Sequence, residues 1–473
     1  MSMMRLSEAA AAIGAELVGR DVLFDSVATD TRTMQPRALF VALAGERFDG
    51  HDFVAQAMQQ GAAAAMVARG RSSAGETSRN ECRSRLVVED TRKALGRLAA
   101  HWRSRFTMPL VALTGSSGKT TVKEMLAGIL RAACSEDPAQ SRVLATRGNL
   151  NNDIGVPLML LELNPAHRYA VIEMGMNHAE EIRYLARVAS PDIALVSNAG
   201  RAHIAFLGSE EAIARAKGEL FEELKPEGTA IINADDRFAP LWRALAKGRR
   251  QIDFGIETPA AVTAKYALRY LESDIVVRMP NGVAAARLNA PGAHNVRNAL
   301  AAAAAASALG IGPEAVSAGL ACFAGIKGRL QKKVGLNDAT LIDDTYNANP
   351  DSVRAAIALL AQAPGDRLLV LGDMGELGPE APRFHAEIGE AARIAGIETL
   401  FTLGELSAHA ARAFGQGARH FTRIEDLLAE IESRLEPGVT LLAKGSRFMR
   451  MERVVQAFAT EADRGESAKH EPH

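Results

Sequence analysis

The sequence predicts an α/β protein of three domains. Short β-branched and apolar runs alternate with longer helical patterns along the chain, which is typical of α/β architecture. A chain of 473 residues is also too long for one ordinary hydrophobic core. Between Val262 and Leu288 the pattern is more nearly alternating and contains the turn signal Asn281-Gly282, which predicts a small antiparallel hairpin.

The domain boundaries are expected where one α/β series gives way to the next. Residues 1–106, 107–326 and 327–473 are the three predicted domains. The second is predicted to contain a parallel sheet together with the hairpin, and the third to be Rossmann-like.

The elements of the first domain follow in chain order. The start of the chain lacks the basic and apolar segments of a signal peptide, and its helical spacing makes Ser7 the predicted N-cap. A strand is predicted over residues 38–43, and a helix followed by a strand over residues 53–67. A further strand over residues 85–90 runs into a helix that ends near Trp102.

The same alternation predicts the strands of the other two domains. In the second domain they are residues 108–115, 169–174, 193–198 and 229–234. In the third domain they are residues 340–344, 367–373, 399–404 and 439–445. The alanine run from Ala299 to Ala306 predicts a helix, since alanine is the best intrinsic helix former.

Composition and charge exclude several classes of protein. The formal net charge of -1 gives no bulk attraction to nucleic acid or to an anionic membrane. Cys82, Cys134 and Cys322 have neither zinc-ligand nor disulfide-framework spacing, which fits a reducing compartment. No apolar stretch of the sequence is long enough to span a bilayer. We therefore expect a cytoplasmic monomer without a nucleic-acid partner or stable membrane insertion.

A phosphate-binding loop is predicted in PLVALTGSSGKTTVKEMLAGIL, which has the pattern strand, glycine loop, helix. Its glycines allow a tight loop that turns backbone amides toward an anion at a helix N-terminus. The lysine can reach the β- and γ-phosphates of ATP, and the following threonine can ligate Mg²⁺. The predicted ATP-binding residues of this loop are Gly115, Ser116, Ser117, Gly118, Lys119, Thr120 and Thr121.

The loop is a shortened form, because Leu113 stands where the full motif has its first glycine. The alternative is a tight turn with an exposed lysine, which fits poorly with Gly-Lys-Thr-Thr between a buried strand and an amphipathic helix. The competing dinucleotide signal Gly310-Ile311-Gly312 follows a helix, so it predicts a helix-ending turn. ATP and Mg²⁺ are thus the expected cofactors, although motors, kinases and switches use the same loop.

Two polar residues that follow predicted strands are candidate magnesium ligands. Glu173 and His203 come where α/β sheets place ligands, although a histidine ligand is unusual for Mg²⁺. For either residue alone, a capped loop or a surface side chain is the alternative. Lys217 lies in an amphipathic helix pattern with acidic neighbours, and spacing alone predicts an exposed lysine paired with glutamates.

A set of motifs resembles a known family. TGSSGKTT, TRGNLNNDIGVP, EMGMNH, AHIAFLGS and AKGEL occur in this order and resemble the Mur ligases, which build the peptidoglycan precursor. GRLQ, DDTYNANPDS, LGDMGELG and KGSRFMRME are similar to the members that add D-alanyl-D-alanine to UDP-N-acetylmuramoyl-tripeptide. DTRTMQPRALFVALAGERFDGHDF resembles their uridine-nucleotide-binding region, except that Pro36 stands where a glycine is expected.

The resemblance implies an ATP-dependent ligase that converts a carboxylate into an acyl phosphate before the amine of D-alanyl-D-alanine attacks. The implied catalytic residues are Lys119, Lys217, His203 and Asn151, with Lys217 carried as a carbamate formed from CO₂. Because a carbamate forms from a neutral amine, the pKa of this lysine has to be lowered by burial or by a metal. The implied metal ligands are Thr120, Glu173, His203 and Lys217.

The resemblance also implies contacts to ATP and to the reacting carboxylate. Asn298 is expected at the adenine or ribose, Arg329 at a phosphate and Asp344 near the ribose. Asn151 and Asn152 are expected near the reacting carboxylate, although turn formation or capping is the alternative for asparagines.

Other residues are implied to bind the two peptide substrates. Lys444 and Arg447 supply the cations that the carboxylate of D-alanyl-D-alanine requires. The remaining implied substrate-binding residues are Asp30, Thr31, Arg32, Asp49, Gly50, Tyr346, Asn347 and Asn349.

Several alternatives stay open. The ligase that adds meso-diaminopimelate carries an Asp-Asn-Pro-Arg motif that is absent here, and the folylpolyglutamate synthetases lack TYNANP. A P-loop switch or motor is the alternative from another class, and a nucleotide-binding scaffold without catalysis is a third. Arg329 and Asp344 lie in a different predicted domain from Lys119, so domain closure is expected to complete the site. The third residue of the muropeptide is not determined by the sequence.

Overall fold

Three α/β units follow one another in the chain. A computed structural model describes residues 2–45, 48–71, 84–134, 142–200, 207–323, 325–326 and 328–460. Each unit has a main sheet of five or six strands, and the middle unit has a further three-stranded sheet. The predicted α/β class is confirmed.

The first unit has a five-stranded sheet in the order β2-β7-β6-β5-β4, in which only β2 is antiparallel to its neighbour. Its strands are β1 (Met4–Arg5), β2 (Glu16–Val18), β3 (Leu23–Phe24), β4 (Ser26–Ala28), β5 (Ala38–Val41), β6 (Ala64–Ala68) and β7 (Arg85–Val88). Its helices are α1 (Leu6–Ile13), a 3₁₀ turn (Gly50–Phe53), α2 (Val54–Gln59) and α3 (Thr91–Arg103). Every residue of β5 is buried, as expected for a parallel strand covered on both faces.

One local prediction in this unit is wrong, and the turn at Pro36 departs from the family pattern. Ser7 is not an N-cap: α1 begins at Leu6, and Ser7 is bonded through its N–H and hydroxyl to the carboxylate of Asp21. At Pro36, where a glycine was expected, the left-handed backbone instead falls on the next residue, Arg37, at φ 63°. The proline ring holds its own φ near about −65°, so it cannot take that conformation itself.

The central unit contains a parallel six-stranded sheet in the order β13-β12-β11-β8-β10-β9. Its strands are β8 (Leu110–Thr114), β9 (Val143–Ala145), β10 (Tyr169–Glu173), β11 (Ile193–Val196), β12 (Thr229–Asn233) and β13 (Arg250–Phe254). Its helices are α4 (Lys119–Ala133), α5 (Gly155–Leu161), α6 (Glu181–Ala189), α7 (Glu210–Glu222), α8 (Ala239–Leu245), α9 (Ala293–Ala308) and α10 (Pro313–Ala321). The strand order reverses around β8, and ligands bind α/β sheets at such switch points.

The predicted hairpin is part of a three-stranded antiparallel sheet, β14 (Thr263–Leu268), β15 (Ser273–Met279) and β16 (Gly282–Leu288). The Asn281-Gly282 turn joins β15 to β16 as predicted. Gly310, with φ 74°, ends α9 before α10 begins, so the competing dinucleotide motif is a helix-ending turn. The alanine run of α9 is buried between the sheets and α4.

The third unit has a six-stranded sheet in the order β17-β18-β22-β19-β20-β21, in which only β17 is antiparallel. Its strands are β17 (Gln331–Val334), β18 (Thr340–Asp344), β19 (Arg367–Gly372), β20 (Thr399–Leu403), β21 (Ala418–Phe421) and β22 (Thr440–Lys444). Its helices are α11 (Pro350–Leu360), α12 (Ala381–Ile394), α13 (Ala408–Phe414), α14 (Ile424–Glu432) and α15 (Glu452–Phe458), with 3₁₀ turns at Leu336–Asp338, Gly378–Glu380 and Arg447–Met449. Among the described residues, no helix is long and apolar enough to cross a membrane.

Candidate functional site

The predicted phosphate loop lies between β8 and α4, in a space that admits only glycine at two positions. Gly118 has φ 77°, and a Cβ there would lie 2.4 Å from Oδ1 of Asn298 on α9. A Cβ on Gly115 would lie 1.9 Å from Oγ of Ser197, which follows β11. The loop is therefore held between the carboxyl end of β11 and the start of α9.

Asn198, which was not among the predicted site residues, fixes the shape of this loop. Its Oδ1 accepts a hydrogen bond of 3.0 Å from the N–H of Ser117, and its Nδ2 donates one of 3.0 Å to the Ser117 carbonyl. Its own carbonyl accepts from the N–H of Ser116 at 3.1 Å. The sequence feature that could have indicated Asn198 is its position just after β11, the strand beside β8. These bonds orient the serines and leave the N-terminus of α4 as the anion-binding part of the loop.

Lys119 begins α4, and its Nζ donates a hydrogen bond of 2.8 Å to the carbonyl of Gly115. Burial lowers the pKa of Lys119, and the nearby carboxylate of Glu173 opposes that effect. The next residue, Thr120, accepts a hydrogen bond of 3.1 Å from Nη2 of Arg329, which precedes β17. The third unit thus touches the phosphate loop directly.

Glu173 is a buried carboxylate with one satisfied oxygen and one unsatisfied one. It ends β10, and its Oε1 accepts a hydrogen bond of 2.9 Å from Nδ2 of Asn151. Its backbone N–H donates to Oγ1 of Thr146 at 2.9 Å, which fixes the end of the strand. Its Oε2 is buried without a hydrogen-bond partner. An unsatisfied buried carboxylate oxygen beside a phosphate loop fits a magnesium ligand.

Within the ranges that the structure describes, metal-ligating side chains do not form a preformed cage. No group of three or more His, Cys, Asp or Glu side chains able to hold a metal occurs in the part of the chain that the structure describes. This still fits Mg²⁺, which usually binds one or two carboxylates, substrate phosphates and water. His203, the other predicted ligand, lies outside the described residues.

Lys217 is buried in α7 and is only 1 % exposed, which contradicts the surface lysine that spacing alone predicted. Burial, followed by repulsion from Lys119, lowers the pKa of Lys217 well below its usual value. Within the described residues its ammonium has no hydrogen-bond or ion-pair partner. These conditions favour a neutral amine.

Glu219, two residues further along α7, connects this helix to the segment after Glu173. Its carboxylate accepts backbone hydrogen bonds from Glu180 at 2.9 Å and Arg183 at 3.1 Å, at the start of α6. Local motifs do not predict this role, because the two bonded residues lie 36 to 39 positions from Glu219 in sequence. Glu219 therefore ties the Lys217 helix to the loop that follows Glu173.

Asp344 and Lys444 end the neighbouring strands β18 and β22 and form a buried ion pair. Nζ of Lys444 lies 2.6 Å from Oδ2 of Asp344 and donates a second hydrogen bond of 2.9 Å to the carbonyl of Asn347. Burial raises the pKa of Asp344, and the cations of Lys444 and Arg329 oppose the rise. The sequence had implied separate substrates for these two residues, whereas the structure places them in contact.

The start of α9 supplies further polar groups. Nδ2 of Asn298 donates to Oδ1 of Asn295 at 3.1 Å, and Oδ1 of Asn298 faces Gly118. His294, which the sequence analysis did not select, lies one turn earlier, and burial with the cations of Lys444 and Arg297 lowers its pKa to about 4. A neutral imidazole beside amide side chains suits a heterocyclic base better than an anion.

One cavity of about 1680 Å³ is lined by residues of all three units, although Thr120 and Lys217 are not part of its lining. Its lining includes many of the predicted site residues: Ser116, Ser117, Gly118, Lys119, Thr121, Asn151, Asn152, Glu173, Asn298, Arg329, Asp344, Tyr346, Asn347, Asn349 and Lys444. Two of these asparagines also form capping or turn hydrogen bonds, as the alternative reading expected. Asn349 caps α11, and Oδ1 of Asn152 accepts hydrogen bonds from the N–H groups of Ile154 and Gly155 where α5 begins.

Other predicted site residues lie away from this lining. Arg447 is exposed and pairs with Glu452 at 3.1 Å. In the first unit Asp30 pairs with Arg32 at 2.6 Å beside Thr31, and Asp49 accepts hydrogen bonds from His51 and Arg71. Gly50 packs so closely on the backbone of Leu43 that a Cβ would lie 2.7 Å from its nitrogen.

Comparison with known proteins gives consistent matches over nearly the whole chain. Residues 24–103 match the model described as Mur ligase family, catalytic domain; residues 113–306 match the Mur ligase middle domain; and residues 328–447 match the Mur ligase, glutamate ligase domain. The UDP-N-acetylmuramoyl-tripeptide–D-alanyl-D-alanine ligase of Escherichia coli is 41 % identical over 470 residues, which cover 97 % of this chain and 99 % of the relative.

Two solved structures extend the comparison to three dimensions. The UDP-N-acetylmuramoylalanyl-D-glutamyl-2,6-diaminopimelate–D-alanyl-D-alanyl ligase of Acinetobacter baumannii has a TM-score of 0.83 and 36 % identity, covering 95 % of this chain and 97 % of that one. The MurF ligase of Thermotoga maritima in complex with ADP has a TM-score of 0.78 and 26 % identity, covering 91 % and 96 %. These relatives give no support to the alternative of a switch or motor.

Proposed function

The chain belongs to the Mur ligase family, and we propose that it joins D-alanyl-D-alanine to UDP-N-acetylmuramoyl-tripeptide, with conversion of ATP to ADP and phosphate. One observation carries the proposal: the phosphate loop of the central unit and Arg329, Asp344 and Lys444 of the third unit line a single cavity. At about 1680 Å³ it exceeds the roughly 300–1,000 Å³ of a typical small-molecule site, so it has room for more than one substrate.

The first step is transfer of the γ-phosphate of ATP to the carboxylate of the tripeptide. Lys119 and the N-terminus of α4 stabilise the negative charge of the transferring group. Arg329 approaches the same loop from the third unit and adds a second cation. Asn151 holds Glu173 on one side and presents its own amide to the reacting carboxylate on the other.

Mg²⁺ would be held by Oε2 of Glu173 and the hydroxyl of Thr120, and when bound it would neutralise phosphate charge during the transfer. Thr120 now accepts its hydrogen bond from Arg329, so Arg329 has to turn from the hydroxyl toward a phosphate oxygen when ATP binds. The cation–π contact of Arg329 with the Tyr346 ring, 4.5 Å away, keeps the guanidinium close during that movement.

Lys217 is proposed to be carried as a carbamate. Its neutral amine adds to CO₂ and loses a proton, which gives a buried anion in place of the amine. The carbamate would help to hold a second Mg²⁺, and it would also attract Lys119, which otherwise repels the Lys217 ammonium.

In the second step the amine of D-alanyl-D-alanine attacks the acyl phosphate, and phosphate leaves. The acyl phosphate has to be kept from water, and closure of the third unit over the phosphate loop provides that protection. The uridine nucleotide is proposed to bind the first unit around Asp30–Arg32 and Asp49–Gly50. We further propose that the protein is cytoplasmic, since its substrate ATP is available there, and that it acts as a monomer. We also propose 2,6-diaminopimelate as the third residue of the peptide, as in the name of the Acinetobacter relative.

The test is release of phosphate from ATP and Mg²⁺ with the UDP-tripeptide, with and without D-alanyl-D-alanine. Release that requires both substrates and yields the pentapeptide would support the proposal. The Lys119→Met variant should lose this release, whereas Lys247→Met, which removes an exposed lysine away from the cavity, should keep it. ATP hydrolysis that is indifferent to both peptides would contradict it.

A further inference from the structure

The end of the cavity nearest the first unit is lined by Arg92, Asp153 and Tyr184. Arg92 lies in the first turn of α3, Asp153 precedes α5, and Tyr184 lies on α6. Within the described residues, Arg92 is the one side chain of the first unit that lines this cavity. None of the three was selected from the sequence, and the reaction described above does not use them.

These three side chains line a polar recess, in which Arg92 and Asp153 are paired and Tyr184 packs against the same helix as Arg92. Nη2 of Arg92 donates a hydrogen bond of 2.7 Å to Oδ1 of Asp153, and its Nε pairs with the other oxygen of the same carboxylate. The hydroxyl of Tyr184 packs against α3, where a Cβ on Gly96 would lie 1.9 Å from it. The Arg92 and Asp153 side chains are still 53 % and 35 % exposed, so both are accessible to a ligand.

The recess lies within reach of the reacting carboxylate. Asp153 is two residues from Asn151, so their Cα atoms are at most about 7 Å apart. In the proposed reaction the activated carboxylate belongs to the third residue of the tripeptide. The side chain of a diamino acid has four or five carbon–carbon bonds of about 1.5 Å each, so it spans a similar distance.

The charges of the recess favour a ligand that carries both signs. A lone ammonium would have to compete with Arg92 for Asp153 and would leave two cations facing one anion. A ligand with an ammonium and a carboxylate can give the first to Asp153 and the second to Nη1 of Arg92, which makes no hydrogen bond to the described residues. The neighbouring acids are already engaged: Glu180 pairs with Arg183, and Glu181 accepts from the N–H groups of Asn177 and His178.

We propose that Arg92, Asp153 and Tyr184 bind the distal end of the third residue, and that they select a side chain ending in both an ammonium and a carboxylate over one ending in an ammonium alone. This inference rests on the proposed ligase function. It assigns a specificity role to residues at the contact between the first and central units.

The experiment compares UDP-tripeptides that carry meso-diaminopimelate or lysine at position three. The wild-type kcat/KM should be at least tenfold higher for the diaminopimelate peptide. Arg92→Met should lower kcat/KM for that peptide about tenfold to a hundredfold, mainly through KM, the scale of a lost charge-assisted hydrogen bond. The lysine peptide should change less than about threefold, since it makes no carboxylate contact.

Lys93→Met is the matched control, because it removes a cation from the neighbouring residue of α3 that does not line the cavity. It should leave both peptides unchanged. If Arg92→Met unfolds, Arg92→Lys replaces it in the experiment. Lysine keeps the charge but cannot form a bidentate contact, so kcat/KM for the diaminopimelate peptide should fall selectively but to a smaller extent. Equal losses for both peptides, or a wild-type preference for lysine, would overturn the specificity role alone. Failure of the wild type to ligate either peptide would overturn the ligase function itself.

Discussion

Nη2 of Arg329 lies 3.1 Å from Oγ1 of Thr120, and this hydrogen bond links residues 209 positions apart in sequence. The guanidinium also lies 4.5 Å from the centre of the Tyr346 ring, while its Nε is buried without a hydrogen-bond partner. Arg329 is therefore held by one hydroxyl and one aromatic face at the junction of two units. The ring of Tyr346 is what remains to orient it when ATP occupies the loop.

Replacing Tyr346 by Leu should lower kcat about 2- to 30-fold, because a cation–π contact is worth roughly 0.5–2 kcal/mol. Tyr346→Phe keeps the aromatic face and should retain most of the activity. The measurement is phosphate release with all three substrates at saturation. If the Leu and Phe variants lose activity equally, the hydroxyl rather than the ring matters, and the orienting role is wrong.

Gly118→Ala should weaken nucleotide binding at least tenfold. The left-handed φ of 77° costs an alanine about 1–2 kcal/mol, and its Cβ would also displace Asn298, whose Oδ1 lies only 2.4 Å away. Gly310→Ala is the control, since Gly310 has φ 74° and open space around its Cβ position. Both variants should lose stability through the strained backbone, and Gly118→Ala should lose more because of its clash with Asn298, but only Gly118→Ala should lose affinity for ADP in a calorimetric titration. If the two variants bind ADP with equal affinity, the close contact of Gly118 with Asn298 does not matter for nucleotide binding.

Local motifs predicted the parts of the site that are contiguous in sequence. The predicted ATP-binding segment from Gly115 to Thr121 consists of seven consecutive residues, and the structure places it directly after β8 and over the first turn of α4, as expected. Glu173 followed from its place at a strand end. The architecture was accessible for the same reason, because strand and helix periodicities are local.

Pairings between distant residues were not predictable in this way. Lys444 and Asp344 are 100 residues apart, and only the adjacency of β18 and β22 brings them into contact. Asn198 and Glu219 act on backbone groups of other segments, which leaves no spacing pattern in the sequence. At Ser7 the local pattern predicted an N-cap, but the side chain is instead bonded to the carboxylate of Asp21, 14 residues away.

Lys444→Met should destabilise the third unit by about 3–5 kcal/mol, because it leaves the Asp344 carboxylate buried without its partner. Adding Asp344→Asn should restore part of this loss, since the remaining amide carries no charge. Denaturant unfolding of the wild type, both single variants and the double variant measures the coupling. Unchanged stability of Lys444→Met, with a raised KM for D-alanyl-D-alanine, would instead support the substrate contact that the sequence implied.

Replacing Lys217 by Met should raise the stability of the protein but abolish its activity. A lysine whose pKa is lower in the folded protein binds fewer protons folded than unfolded, so its burial is destabilising below its ordinary pKa of 10.5. In buffer free of CO₂ at pH 7, Lys217→Met should therefore raise the free energy of unfolding by about 1–4 kcal/mol, the range for apolar replacement of buried ionic groups. The gain should shrink as the pH rises toward 10.5, where the unfolded lysine also loses its proton.

The same variant should be inactive at every pH, because methionine cannot form a carbamate. Adding bicarbonate should raise the activity of the wild type, while Lys217→Met stays inactive and Lys247→Met, at an exposed position, behaves as the wild type. Bicarbonate should also narrow the stability gap, since the carbamate replaces a buried cation with an anion that attracts Lys119. A Lys217→Met variant that is less stable than the wild type in CO₂-free buffer would show that the folded protein stabilises the ammonium, and the carbamate would lose its physical basis.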